Sequence, residues 1–206
     1  MLDGVIYDSI EAKTLSENRD KIDIFSLSWG PDDNGELLDG PRDKGSRAIE
    51  HGVQFGRQGK GSLFIFGSGN GHIDGDNCGA DGYANSMFTI TFAAADFNGK
   101  KAMYCERCSA ILSTIYSSGG YGQLDRLPKI STLDVNGTCD EAFGGTSAVN
   151  PIASGIIGKR YLSVHSLLLN LLSTWIGGQP KLDMARCPTH CCSGQCGSFE
   201  WTTTVP

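Results

Sequence analysis

Ile22-Asp23-Ile24-Phe25-Ser26-Leu27-Ser28-Trp29-Gly30-Pro31 and, thirty-one residues after Pro31, Ser62-Leu63-Phe64-Ile65-Phe66-Gly67-Ser68-Gly69-Asn70-Gly71 decide the fold of this chain. The first alternates apolar and polar residues with β-branched content up to a Trp-Gly-Pro turn, which is the pattern of a strand. The second is a short apolar run closed by glycines, which is the pattern of a buried strand. Between them the segment from Pro41 to Phe55 places Ala48, Ile49, Gly52, Val53 and Phe55 at near-helical spacing, with Pro41 in a first-turn position and Gly56 as a stop. Strand, helix and strand with a crossover of that length form a right-handed βαβ unit, so both strands belong to a parallel sheet. In open parallel sheets the working site lies beyond the carboxyl ends of the strands. Those ends are Ser28-Trp29-Gly30 and Gly67-Ser68-Gly69-Asn70.

Working outward, further strands are predicted over 87–94 and 111–116, and Gly144-Gly145-Thr146-Ser147 leads into a predicted helix from Ala148 to about Gly158. After Ile157 the chain changes to a leucine-rich stretch and then a cysteine-rich polar end. A boundary is therefore expected near residue 158, with residues 1–157 as the body and 158–206 as a tail outside its fold. The tail's cysteine string 187–196 departs from the usual zinc spacings.

At 206 residues and 39% hydrophobic content the chain is long enough for one domain with a core. Its 28 glycines, clustered between apolar runs, exclude a helical bundle and leave α/β or all-β. A formal charge of −6 argues against a nucleic-acid partner and for a cationic one. No apolar run reaches the ~20 residues of a membrane span, and no signal peptide is visible after Met1. Eight cysteines hint at an oxidising compartment. A chain beginning partway through a gene product would reconcile that hint with the missing signal.

Gly145-Thr146-Ser147-Ala148 sets a serine at a helix start, where free backbone N–H groups and the positive dipole end favour a nucleophilic oxygen and a developing oxyanion. Such a serine is more often a plain N-cap. Asn70 after a buried strand can aim its amide at the same oxyanion, or can simply make a Gly-Asn turn. Both strings in this order, preceded by Ser28-Trp29-Gly30-Pro31, favour the chemical reading.

Together with Met1-Leu2-Asp3-Gly4, Asp39-Gly40-Pro41, the run from Gly56 to Ser62, Asp81-Gly82-Tyr83 and Tyr116-Ser117-Ser118-Gly119, these strings closely resemble the subtilisin/kexin-type proprotein convertases of the furin and neuroendocrine kind. The resemblance runs from Met1 to about Ile157. It implies an incomplete subtilisin-like three-layer fold with a mainly parallel sheet. It also implies a calcium-dependent serine endopeptidase of the secretory pathway, cleaving precursor proteins after paired or clustered basic residues. Ser147 is then the nucleophile and Asn70 the oxyanion donor. Ser28, Trp29 and Gly30 pair with an extended substrate. Asp33 and Asp81 face the first-site arginine, while Glu11, Asp39 and Tyr83 line the site for the basic residue three positions earlier. The resemblance further implies Asp33, Asp76 and Glu106 as Ca²⁺ ligands, a disulfide between Cys78 and Cys108, and a partner upstream of Met1 for Cys139. Cys105 has no family counterpart. Asn136-Gly137-Thr138 is an acceptor string for N-glycosylation.

The family's catalytic aspartate and histidine are expected upstream of Met1, and His51-Gly52-Val53, on the predicted helix, is read as a decoy for the histidine string. Val149 and Asn150 stand where the family prefers small residues, and Gly67 stands where it prefers alanine. The alternative to an enzyme is a truncated, non-catalytic isoform that at most binds basic peptides.

Overall fold

The computed structural model describes residues 5–120 and 129–176, with side chains as far as Tyr161. In chain order the elements are α1 (Asp8–Ser16), β1 (Ile24–Leu27), α2 (Asp43–Gly59), β2 (Leu63–Gly67), a single 3₁₀ turn (Gly71–Asp74), β3 (Ile90–Ala95), β4 (Ile111–Tyr116), β5 (Ile130–Leu133), β6 (Cys139–Phe143) and α3 (Thr146–Ile176).

The first four strands form one sheet in the order β1-β2-β3-β4, parallel at every step. Its register begins with Ile24 opposite Leu63 and Phe25 opposite Phe64. β5 and β6 make a separate antiparallel pair. The sheet is covered on both faces, as parallel sheets require. Leu15 of α1 and Ala48 and Ile49 of α2 pack with Phe25, Leu27, Phe64 and Phe66 on one face. Val149 and Ala153 of α3 pack with Ile65, Phe92, Ala94 and Tyr104 on the other. Phe25 and Phe64 stack at 4.6 Å between ring centroids. The α/β three-layer architecture read from the sequence is the one observed.

Several element bounds differ from expectation for local reasons. α2 starts at Asp43, because Pro41 and the extended Arg42 stand outside it and Asp8 caps the helix by accepting from the N–H groups of Lys44 and Gly45 at 3.1 and 2.9 Å. Regular helix stops at Gly56, where the backbone turns extended and Arg57 and Gln58 take φ of 52° and 58°. Met87, the first residue of the expected third strand, is 88% exposed, and pairing begins only at Ile90. α1 and the β5–β6 pair carry too little periodicity to have been read from sequence. α3 crosses the expected boundary at 158 without a break and continues to Ile176. Lys159 and Arg160 face solvent on it. No described helix is long and apolar enough to cross a membrane.

Candidate active site

The carboxyl ends of β1 and β2 and the amino end of α3 meet around a cleft of about 190 Å³. Ser147, half-buried, is the second residue of α3. Its own N–H is therefore one of the helix's first four, which have no intrahelical acceptor. The chain enters the helix through Gly145 at φ +77°, a conformation in which a Cβ would also stand 3.2 Å from the Asn70 Oδ1. Across the cleft, the Ser28 hydroxyl donates to the Ser147 carbonyl at 3.0 Å, tying the end of β1 to the serine.

Asn70 is held at both ends. Its Oδ1 accepts from the Thr146 N–H at 2.8 Å and from the Thr146 hydroxyl at 3.1 Å. Its backbone N–H donates to Asp33 Oδ2 at 2.7 Å. With the carbonyl end of the amide engaged by the residue before Ser147, the Nδ2 end lies toward the Asp33 carboxylate, and its hydrogen bond partly offsets the effect of burial there. Thr146 was visible in the Gly-Thr-Ser string, yet its role in orienting Asn70 needs the fold.

Trp29, Gly30, Asp33 and Asp81 line the same cleft as Ser147 and Asn70. The Asp81 carboxylate accepts from the N–H groups of Tyr83 and Ala84 at 2.6 and 3.2 Å. Burial nevertheless pushes its pKa up to about 6, with Asp33 and Asp76 adding repulsion. Gly30 stands close beside it, and a Cβ there would lie 3.3 Å from Asp81 Oδ2, so the carboxylate would have to give by a few tenths of an ångström.

A second, smaller hollow of about 180 Å³ adjoins Trp29 and Gly30 and is lined by Glu11, Asp39, Arg42 and Tyr83. Glu11 is 4% exposed and its Oε1 has no partner. Desolvation raises its pKa against the hydrogen bond donated by Tyr83. The Tyr83 hydroxyl is pushed up in turn, by its own burial and then by Glu11. The sequence-predicted residues Glu11, Asp39 and Tyr83 thus come together, on the side of Trp29 and Gly30 away from Ser147.

Behind the cleft, one carboxylate oxygen from each of Asp33, Asp76 and Glu106 lies within 4.8 Å of the others. Glu106 is 2% exposed and accepts from the Gly71 N–H at 2.9 Å. Asp76 accepts from the Gly35 N–H at 3.1 Å. Desolvation, then neighbouring carboxylates, pushes the Glu106 pKa up to about 7, and burial likewise raises that of Asp33. Three hard oxygens with unbalanced negative charge suit a divalent cation of the oxygen-seeking kind. The Cys78–Cys108 disulfide is formed beside them. Cys105 is buried against Ser68, and Cys139 is exposed on β6. Asn136 is exposed in the turn before β6.

His51 stands on α2 beside Arg19 and Phe55, and no histidine lines the cleft among the described residues. His165 and His190 lie outside the described side chains. Asn150, the departure singled out in the sequence, donates from Nδ2 to the Leu27 carbonyl at 2.6 Å, while its Oδ1 is buried without a partner.

A serine at a helix start, with a side-chain amide beyond the second strand of a parallel three-layer sheet, is the arrangement of a subtilisin-like fold. The Subtilase family model matches residues 2–164, and the chain belongs to that family. Within it the relatives are furin-like proprotein convertases. The chain is 47% identical over 156 residues to furin-like protease 1, isoform 1-CRR, of Drosophila melanogaster, which covers 76% of this chain and 14% of that protein. It is 43% identical over 190 residues to human proprotein convertase subtilisin/kexin type 6, covering 92% and 19% respectively. Endoprotease bli-4 of Caenorhabditis elegans is 45% identical over 157 residues, covering 76% and 16%. The chain thus spans less than a fifth of the length of these relatives. Among solved structures, a serine protease of Aeromonas sobria in complex with its chaperone superposes with a TM-score of 0.61 at 16% identity, over 76% of this chain and 33% of that one. That likeness concerns the fold alone.

Proposed function

We propose that this chain is the nucleophile-bearing part of a calcium-dependent serine endopeptidase of the proprotein-convertase type, which processes precursor proteins after paired or clustered basic residues in the secretory pathway. The observation that supports it is the convergence of Ser147, Asn70 and Asp81 on one cleft, with Thr146 fixing the Asn70 amide. An extended substrate pairs with 28–30, and its first arginine enters between Asp33 and Asp81, where desolvated carboxylates make charge-assisted bonds. Glu11, Asp39 and Tyr83 take the basic residue three positions earlier, whose charge meets the unpartnered Glu11 Oε1.

In the reaction a base takes the Ser147 hydroxyl proton as the oxygen attacks the arginine's own carbonyl carbon. The Asn70 Nδ2 and the Ser147 N–H hold the resulting oxyanion. The adduct later breaks the following C–N bond, with that proton going to the departing amine. Asp33, Asp76 and Glu106 would hold Ca²⁺, which supplies the positive charge that fixes their three loops behind the arginine site. Attack requires a base beside Ser147, and among the described residues no histidine lines the cleft. That observation favours a second reading for the chain taken alone, a binder of basic peptides without turnover.

A fluorogenic Arg-X-Lys-Arg peptide, with millimolar calcium, separates these readings. Binding without turnover, weakened at least tenfold by Asp81→Asn, supports basic-peptide recognition. Turnover that Ser147→Ala abolishes and His51→Ala spares would show that another base acts. No binding at all would overturn the specificity assigned to this cleft. Secretion from a eukaryotic host with no mass loss on glycosidase treatment would remove Asn136 as a glycosylation site.

A further inference from the structure

Asp76 and Glu106 stand at the same step from the two halves of a disulfide, each two residues before a half-cystine, Cys78 and Cys108. Both acids are tied to Gly71, whose carbonyl accepts from the Asp76 N–H at 2.9 Å and whose N–H donates to Glu106 Oε1 at 2.9 Å. The His72 N–H donates to the Tyr104 carbonyl at 3.1 Å, and the Glu106 N–H donates to the Gly69 carbonyl at 3.3 Å. These bonds join 69–72 to 104–106. After Asp76 the chain turns, with the Asn77 N–H donating to Asp76 Oδ1 and the Asn77 side-chain carbonyl accepting from the Gly79 N–H. Beyond that turn the crosslink ties the two segments together, with Cys78 fully buried.

The clustered charges oppose this arrangement. Three carboxylate oxygens within 4.8 Å of one another repel, and the burial of Glu106 removes the water that would screen them. The hydrogen bonds to Gly69 and Gly71 hold each acid individually, and the covalent link two residues beyond each acid limits how far the two can move apart.

We propose that the Cys78–Cys108 disulfide is a positioning element for the cation site, holding Asp76 and Glu106 at coordinating separation so that cation affinity depends on its oxidation state. This rests on the reading of the cluster as a cation site. Cleaving the bond frees the 104–108 and 76–78 segments at their outer ends, and the acids then relax apart. The coupling is reciprocal by thermodynamic necessity: whatever factor the disulfide adds to cation affinity, a bound cation adds to the resistance of the disulfide to reduction.

The test uses the full chain and calcium itself. Titration calorimetry of the oxidised protein establishes binding, and Asp76→Asn must abolish it. If the oxidised protein binds no calcium, or Asp76→Asn binds unchanged, the cation reading fails and the proposal falls with it. Given binding, the Cys78→Ser/Cys108→Ser protein is expected to bind at least tenfold more weakly with an unaltered far-ultraviolet dichroism spectrum. Equal affinity overturns the proposal while leaving the cation site intact. A second measurement needs no variant. Dithiothreitol delivers two electrons and two protons to the two sulfurs and leaves as its cyclic disulfide, and the state of Cys78 and Cys108 is read by alkylation and peptide mass. Saturating calcium is expected to raise the dithiothreitol-to-oxidised-dithiothreitol ratio at half-reduction at least tenfold. An unmoved midpoint in a protein that binds calcium overturns the coupling.

Discussion

Asp81 gains two backbone hydrogen bonds and still titrates near pH 6, because burial between the 28–30 segment and the Asp33 and Asp76 carboxylates outweighs them. An arginine side chain keeps its charge throughout the accessible range, so recognition follows the carboxylate alone. In calcium-free buffer, affinity for a labelled Arg-terminated peptide is expected to rise as pH climbs through about 6 and to level off above about 7. Fluorescence anisotropy between pH 5 and 8 reads this. Asp81→Asn should flatten the profile, whereas a wild-type midpoint near the ordinary carboxylate value would mean that Asp81 is solvated. The linkage has the opposite sign for stability. A folded pKa raised above the unfolded one contributes stability present below the unfolded value and lost as pH rises through about 6, so an arginine or a cation at this site relieves strain in the neutral protein. Asn150 presents the neutral counterpart. Asn150→Ala removes a donor from the Leu27 carbonyl, worth about 1 kcal/mol, but also removes a buried acceptor without a partner, a cost of roughly 1–3 kcal/mol. Urea denaturation is therefore expected to show no loss of stability in that variant. A loss above about 2 kcal/mol would mean that Oδ1 is bonded in solution.

At the level of elements, β1, α2, β2 and β4 were legible because hydrophobic periodicity and Gly/Pro punctuation act locally. The residues that make a site of their ends were less so. Ser147 and Asn70 stood in recognisable strings, but Thr146 bonding Asn70 and Asp8 capping α2 join positions 76 and 36 residues apart, which no local pattern records. Asp33, Asp76 and Glu106 read from the residues alone as no more than a surface acidic cluster, and the fold brings their oxygens within 4.8 Å. The glycine at 67, which departs from the family's alanine, has a reason in the same place. It ends β2 where α3 begins, and a Cβ there would stand 2.8 Å from the Thr146 Cβ and Oγ1. Gly67→Ala must push α3 or the Asn70 loop outward. The expected cost is about 1–3 kcal/mol, as for other overpacked sites, together with weaker peptide binding. Unchanged stability and affinity would show that β2 and α3 are not in such close approach.

For the whole molecule, the question is where the body that carries the site ends. α3 buries Val149 and Ala153 against the sheet, and Ile157 packs on the same core. Along the next turn Lys159 and Arg160 face solvent, while Tyr161 lies 4.7 Å beneath the Arg57 guanidinium, itself paired with Asp23 at 2.7 Å. That contact stands at an apolar groove of about 640 Å³, which Ile24 and Leu63 line from the sheet and Ile156, Ile157 and Tyr161 line from α3. The described contacts between α3 and the rest of the body run to about residue 161. Helix formation itself needs no sheet beneath it once a packed turn has nucleated it, so the passage of α3 through 158 does not by itself extend the body. Residues 158–206 are therefore proposed to contribute little to the stability of the body. Limited trypsin digestion in calcium should leave a resistant fragment ending near Lys159 or Arg160, with the peptide affinity of the intact chain. Equal protection of sites on both sides of residue 160, or loss of the body's near-ultraviolet dichroism on trimming, would show instead that the later residues are packed on the sheet and that the boundary lies further along the chain.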